Sequence, residues 1–411
     1  MSDWSEKRLG EMIAVNPPVK LVKGVVYPFI DIDKVDKQSK IVSNVEERLF
    51  DGQGGSRFQA GDTVFSRITP CLENRKIAQV NLNGAVTGFG STEFFVFRNK
   101  EGLTDSKFVY YFISSDWVVL PAINSMTGAS GRQRADRGFV EKLKLKFPDL
   151  PTQTRIADIL AAYDDAIENN NRRIALLEKA ARELYHEWFI RMRFPGHENV
   201  KMVNGLPEGW EAVRFGTLVE IIDGDRGVNY PKQDEFFNEG YCLFLNAGNV
   251  TKSGFNFENN AFITENKDGL LRKGKLVRND IILTTRGTVG NVAYYSKHIP
   301  YGVMRINSGM VILRDSGEVS PEFLYIMLRN DAIQKMIDLF SSGSAQPQLP
   351  IKDMRKLKII KPTEEILLRF TEITREMLDQ AALLQTQSQN LARQRDLLLP
   401  RLMSGKMEVI N

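Results

Sequence analysis

Cysteine and histidine are almost missing from this chain. Its 411 residues hold two of the one, Cys71 and Cys242, and three of the other, His186, His197 and His298. The cysteines lie far apart and no CxxC or Cys/His grouping exists, which excludes a disulfide framework and a zinc site. No apolar run approaches the length of a bilayer span, and the start MSDWSEKRLGEM has no basic head followed by an apolar core. Charge of one sign is lacking too: 55 basic residues face 51 acidic ones, a formal net charge of +4. Bulk charge therefore does not mark a nucleic-acid binder, and the expectation is a soluble protein of a reducing cytoplasm with no membrane contact.

Catalytic signatures are equally scarce. No GxSxG, HExxH or paired-carboxylate arrangement stands out. GLLRKGKL (269–276) has the GxxxxGK spacing of a phosphate-binding loop. It ends, however, in Leu276 where a hydroxyl should hold Mg²⁺, and it precedes a strand-like run instead of opening a helix. NPPV (16–19) resembles the NPP-aromatic signature of amino-methyltransferases, but Val19 cannot stack on an extruded base. Fifteen preceding residues also leave no room for a cofactor-binding βα unit. Both read as turns.

What the chain has instead is itself, twice. KLKLKFP (142–148) returns as KLKIIKP (356–362). DWSEKRLGE (3–11) faces GWEAVRFGT (209–217), GDTVFSR (61–67) faces NDIILTT (279–285), and KIAQV (76–80) faces NVAYY (291–295). SKFVYYFISS (106–115) faces PEFLYIMLRN (321–330), and MTGASGRQRAD (126–136) faces SSGSAQPQLPI (341–351). These matches keep one order and a nearly constant offset, as a duplicated domain does.

Each half opens with short β-branched or alternating runs separated by Gly, Asn and Asp turns, the pattern of a mixed α/β unit. A proline then leads into a long stretch free of helix breakers. In the first such stretch Ile156, Leu160, Tyr163, Ile167, Asn170, Ile174, Leu177, Ala181, Leu184 and Trp188 recur at 4,3 spacing, a heptad seam with one polar member at Asn170. A helix over 152–190 would be about 58 Å long. In the second stretch Phe370, Met377, Leu384, Leu391 and Leu398 form one seven-residue row, and the other is interrupted by Gln387 and Gln394. The seams bury most economically against each other as an antiparallel pair; packing of each on its own globular unit, or between chains, is the alternative. The Gly/Pro/Asn-rich FPGHENVKMVNGLPEGW (194–210) reads as a linker.

Two similar but non-identical units on a helical arm suit the reading of two different half-sites on one duplex, about one helical turn apart. The order of parts, with GDTVFSR, NDIILTTRGTVGNVAYY, LPTQTRIADIL leading into NNNRRIALLE, and GLPEGW, resembles the specificity subunit of type I restriction-modification systems over essentially the whole chain. RITPCLENRK (67–76) departs from the glycine-bearing turn kept by RGTVGN (286–291), and PTEEILLRFTEI (362–373) departs from the family's usual helix start. The resemblance implies an α+β chain: two tandem mixed α/β target recognition domains (1–150 and 209–361), joined by a central long helix (151–193), a linker (194–208) and a C-terminal long helix (362–404), the helices forming an antiparallel coiled coil with a pseudo-twofold repeat. It implies a non-catalytic subunit that binds double-stranded DNA with two adenine-N6 methyltransferase subunits and two ATP-driven restriction subunits. S-adenosylmethionine and ATP would belong to those partners, with no cofactor or metal in this chain. A coiled-coil scaffold or nucleic-acid adaptor without a role in modification is the alternative.

Base-reading residues cannot be carried over by motif, so candidates come from chemistry: Arg for guanine edges and phosphates, Gln for adenine edges. In the first half these are Arg67, Arg75, Lys76, Arg132, Arg134 and Arg137; in the second, Arg226, Arg286, Arg305, Gln346, Gln348 and Lys352.

Overall fold

The computed structural model describes residues 4–36, 39–42, 45–129, 131–341, 347–407 and 409. The chain forms two compact units, Met1–Asn169 with Gln387–Asn411, and Asn170–Thr386. Each long helix contributes its two ends to different units.

In the first unit the incoming strand Ser5–Arg8 pairs antiparallel with Lys144–Phe147, the strand made by KLKLKFP, with Arg8 opposite Lys144. A five-stranded sheet has the order Ile13–Val15, Phe94–Asn99, Thr63–Ser66, Ile77–Val80, Ile41–Val42. A four-stranded sheet has the order Glu46–Phe50, Val25–Ile30, Thr87–Gly90, Ser56–Gln59. The central strands of the larger sheet are apolar on both faces. Phe65, Phe95 and Phe97 face a core that includes the helix Ser106–Ile113 and the start of the first long helix, whereas Val64, Phe94 and Val96 face a second core with Ile30 and Phe58. Burial on both sides explains why TVFS and FFVF read as continuous apolar runs.

The second unit repeats this plan. Glu211–Arg214 pairs with Lys358–Lys361, and Arg214 lies opposite Lys358. The four-stranded sheet has the order Val219–Asp223, Met310–Asp315, Ile281–Thr284, Val292–Tyr294. A three-stranded sheet joins Phe262–Ile263, Cys242–Leu245 and Met304–Ile306, the last two parallel. Here too one strand feeds two cores, with Ile281 and Leu283 on one face and Ile282 on the other.

The duplication reaches individual bonds. Leu9 donates its backbone N–H to the Leu143 carbonyl, and Phe215 donates to Leu357, both at 2.8 Å. Arg98 grips the buried Asp62 carboxylate through two bonds of 2.7 Å, and Arg314 grips Asp280 through two of 2.8 Å. Each of these aspartates also accepts a backbone N–H at 2.7 Å, from Gln59 and Val277 respectively, so each carboxylate is fully paired and pins the turn before its strand. RITPCLENRK departs in length and in its residues but closes the same way: Ser66 donates across it to the Lys76 carbonyl (3.1 Å) as Thr284 donates to Asn291 (3.0 Å). Gly10 and Gly216 match because a Cβ at either would come within 3.2 Å of Glu141 or 3.0 Å of Arg355.

The first long helix spans Leu150–Tyr185 and continues as a π-helical turn, His186–Ile190; the second spans Glu364–Met403. In the first unit Ile156, Ala157 and Leu160 share a core with Leu402 and Met403, and Asp164 meets Arg395. In the second unit Tyr185, Trp188 and Phe189 pack around Phe370, with Ala181 beside Leu378. Within each unit, rising numbers on one helix meet falling numbers on the other, so the segments run antiparallel.

The interruption of the second seam at Gln387 and Gln394 is corrected by the structure, which leaves both exposed. The row that faces inward beside Phe370, Met377, Leu384, Leu391 and Leu398 is Leu367, Thr374, Ala381, Ser388, Arg395 and Leu402, all at least half-buried. The heptad is unbroken, and between Leu367 and Leu402 its core row is small or polar: Thr374, Ala381, Ser388 and Arg395. Thr374 donates to the Phe370 carbonyl (2.8 Å), and Arg395 is neutralised by Asp164 (2.5 Å), so two polar members are satisfied in place.

Candidate nucleic-acid interface

In the first unit three segments meet side by side. Arg67 donates its backbone N–H to the Glu93 carbonyl (2.9 Å), Ala135 donates to the Arg67 carbonyl (2.8 Å), and Thr69 donates to Gln133 (3.0 Å). This junction brings the Arg67 and Arg134 side chains to one carboxylate. Arg134 holds Glu93 through Nη2 at 2.7 Å and Nε at 2.9 Å, and Arg67 stands 3.5 Å from the same group. The Arg134 hydrogen bonds hold the Glu93 carboxyl below the usual carboxylate range, against the opposing effect of burial. Two guanidiniums on one carboxylate leave a net positive charge here. Arg132 is exposed on the same turn, and Arg134 keeps 43% of its side chain exposed.

In the second unit the same junction recurs. Thr285 donates its backbone N–H to the Gly309 carbonyl (2.8 Å), and Leu349 donates to the Thr285 carbonyl (3.0 Å). Arg286 and Gln348 are joined by a backbone bridge, and both are exposed. Arg226 reaches the neighbouring turn, donating to the Ser308 carbonyl (3.2 Å) while pairing with Asp223 at 3.2 Å. Arg226, Arg286 and Gln348 thus converge.

The other candidates lie apart from these junctions. Arg75 pairs with Asp116 and donates to the Ser114 carbonyl (3.2 Å); Lys76 donates to the Ile32 carbonyl (2.9 Å). Arg137 holds Glu141 (2.8 Å) and the Val15 carbonyl (3.0 Å), and Lys352 is exposed on the short helix Ile351–Met354. Gln346 lies outside the described residues. Arg305 corrects the expectation. It is 4% exposed, and its guanidinium bonds Asp268 (2.5 Å) and the carbonyls of Lys273, Asp268 and Leu271 at 2.7–3.0 Å, so it serves the fold and has no face for a duplex.

Sequence reasoning missed Glu93. The signal was present: at the repeat offset Glu93 falls opposite Gly309 (309 − 93 = 216), and the structure gives both residues the same backbone partner position. NPPV lines an open cleft of about 290 Å³ with Gly55, Ser56 and Arg57, where Arg57 reaches the Val19 carbonyl at 3.4 Å. Cys242 is buried and its thiol is pushed up to about 12 by that burial, which makes it inert as a nucleophile.

The family model for the type I restriction modification DNA specificity domain matches the chain twice, over residues 1–179 and 207–383. The chain belongs to the type I restriction-modification DNA specificity family. The MjaIX specificity subunit of Methanocaldococcus jannaschii is 28% identical over 324 residues, which cover 76% of this chain and 72% of the relative. The HindI specificity subunit of Haemophilus influenzae is 25% identical over 99% of this chain and 100% of its own length. The fold of the type I S subunit from M. genitalium superposes with a TM-score of 0.59 at 16% identity, covering 100% of this chain and 97% of that one. DNA recognition, not catalysis, is the role the family carries, and its specificity subunits act in a complex with DNA and other subunits, without a cofactor of their own. Among the described residues no helix is long and apolar enough to cross a membrane, and no group of His, Cys, Asp and Glu is placed to hold a metal ion.

Proposed function

We propose that this specificity subunit reads a bipartite, asymmetric site on duplex DNA, one part with each globular unit. Residues 1–150 and 209–361 act as the two target recognition domains, 151–193 and 362–404 as the helices that join them, and 194–208 as the linker. The observation that carries this reading is the repeat at the level of bonds. The two units share backbone hydrogen bonds at the end-strand pair and at the junction, whereas the side chains exposed at the shared junction differ. Similar scaffolds with different reading groups suit two different half-sites.

The partners in this reading are two adenine-N6 methyltransferase subunits, which bring S-adenosylmethionine, and two ATP-driven restriction subunits, all in the cytoplasm with the chromosome. Arg67, Arg75, Lys76, Arg132, Arg134 and Arg137 of the first unit, and Arg226, Arg286, Gln346, Gln348 and Lys352 of the second, form the pool of phosphate and base contacts. The test is a map of N6-methyladenine across the host genome with and without this gene. The expected result is loss of one gapped, asymmetric motif. An unchanged map from an expressed, intact system would leave a scaffold without a role in modification.

A further inference from the structure

We propose that Arg134, held by Glu93, and Gln348 are matched base-reading positions of the two recognition domains, Arg134 addressing a guanine and Gln348 an adenine. The inference rests on the bipartite reading above and deepens it to single bases. Three residues of the first junction correspond to three of the second: Arg67 to Thr285 (285 − 67 = 218), Glu93 to Gly309 (309 − 93 = 216), and Arg134 to Gln348 (348 − 134 = 214). The correspondence is structural, since the same bonds connect each set: residue 67 or 285 donates to 93 or 309, and accepts from the residue after 134 or 348. One place in the fold thus carries Arg–Glu–Arg in one domain and Thr–Gly–Gln in the other.

The chemistry of the first set is directional. A guanidinium has five N–H donors on a planar fork. Glu93 takes the Nε edge of Arg134 together with one Nη2 hydrogen. The Nη1/Nη2 edge remains, its only other contact among the described residues a 3.5 Å approach to the Arg132 carbonyl, and two parallel donors on that edge match guanine O6 and N7. Glu93 is a positioning residue: it is only 19% exposed, and by fixing one edge of the fork it sets the direction of the other. In the second domain Gly309 removes the carboxylate. Gln348 is exposed there, and its amide sets an N–H donor beside a carbonyl acceptor, the pair that adenine N7 and N6 require.

The experiment is the methylation map repeated with the full chain in its native operon carrying Arg134→Gln, Glu93→Gln or Gln348→Arg. Arg134→Gln is expected to change one base of one half-site from guanine towards adenine, with discrimination falling on the order of tenfold to a hundredfold. Glu93→Gln should relax that same base and no other. Gln348→Arg should turn an adenine of the opposite half-site towards guanine. Base identity is a readout that a merely structural role would not move. Variants that leave both half-sites unaltered, or lower methylation evenly at every site as loss of a phosphate contact does, overturn the assignment. Should Arg134→Gln fail to accumulate, Gln348→Arg decides alone, because it lies in the other domain. A wild-type map with no motif dependent on this gene instead overturns the bipartite reading itself.

Discussion

Arginines in this chain divide by the carboxylates they meet, and those carboxylates are distant in sequence. Asp268 claims Arg305, Asp62 claims Arg98, and Asp280 claims Arg314. Such pairs hold turns, and composition alone cannot separate them from arginines that face a ligand. Asp225 shows the same economy with backbone partners: Gly227 and Arg272 each donate an N–H to it at 2.7 Å, and chiefly the Gly227 bond holds its carboxyl below the usual range. A depressed folded-state value means that its stabilisation is complete above the unfolded carboxylate value of about 3.9 and is lost as pH falls through the folded one. Denaturant unfolding of the chain and of Asp225→Asn should therefore differ most near neutrality. The difference should shrink below about pH 4; a gap that stays constant into acid would show that the ionised carboxylate is not the stabilising species.

Among the elements, the long helices carry the clearest electrostatic experiment. In the first unit Lys40 donates to the Tyr111 hydroxyl (3.1 Å), Tyr111 donates to Asp164 (2.5 Å), and Arg395 meets the other oxygen of Asp164 (2.5 Å). Burial pushes the Lys40 ammonium down and the Tyr111 hydroxyl up, so the chain works with Tyr111 as a neutral donor. Asp164→Ala would leave Arg395 paired with the exposed Asp396 and the Tyr111 hydroxyl without its acceptor, and should cost about 1–3 kcal/mol in urea unfolding, whereas Asp164→Leu with Arg395→Met together should recover most of it. Equal losses in the single and double variants would show that packing, not charge, is at stake. This network also marks the limit of sequence reading. The first helix was legible because nine of its ten seam residues are apolar or aromatic. The second was half-legible, since Arg395 and Thr374 occupy core positions through partners that no local periodicity can show. For the interface, the repeat located the junction and composition pointed to Arg67, Arg134 and Gln348. The carboxylate between the first two is not legible as their partner, because Glu93 lies far from both arginines in sequence and meets them only in the fold.

For the whole molecule, near-balance of charge sets an expectation about salt. With a net charge of only +4, long-range attraction to DNA is weak, and affinity must come from cations gathered at the interface. Binding of the assembled complex to its own duplex should weaken linearly in log–log against salt, and Arg132→Ala should reduce that slope by about one unit if Arg132 meets a phosphate. An unchanged slope removes Arg132 from the interface. Finally, each recognition domain begins and ends on adjacent strands, Ser5–Arg8 beside Lys144–Phe147 and Glu211–Arg214 beside Lys358–Lys361. A segment whose two ends lie side by side is a cassette. Another block of the same fold would join at the same two nearby points, provided its core fits the helix residues that close it, such as Ile156, Leu160 and Leu402 in the first unit. Exchange of one such block would be the economical route by which one half-site changes while the other is kept.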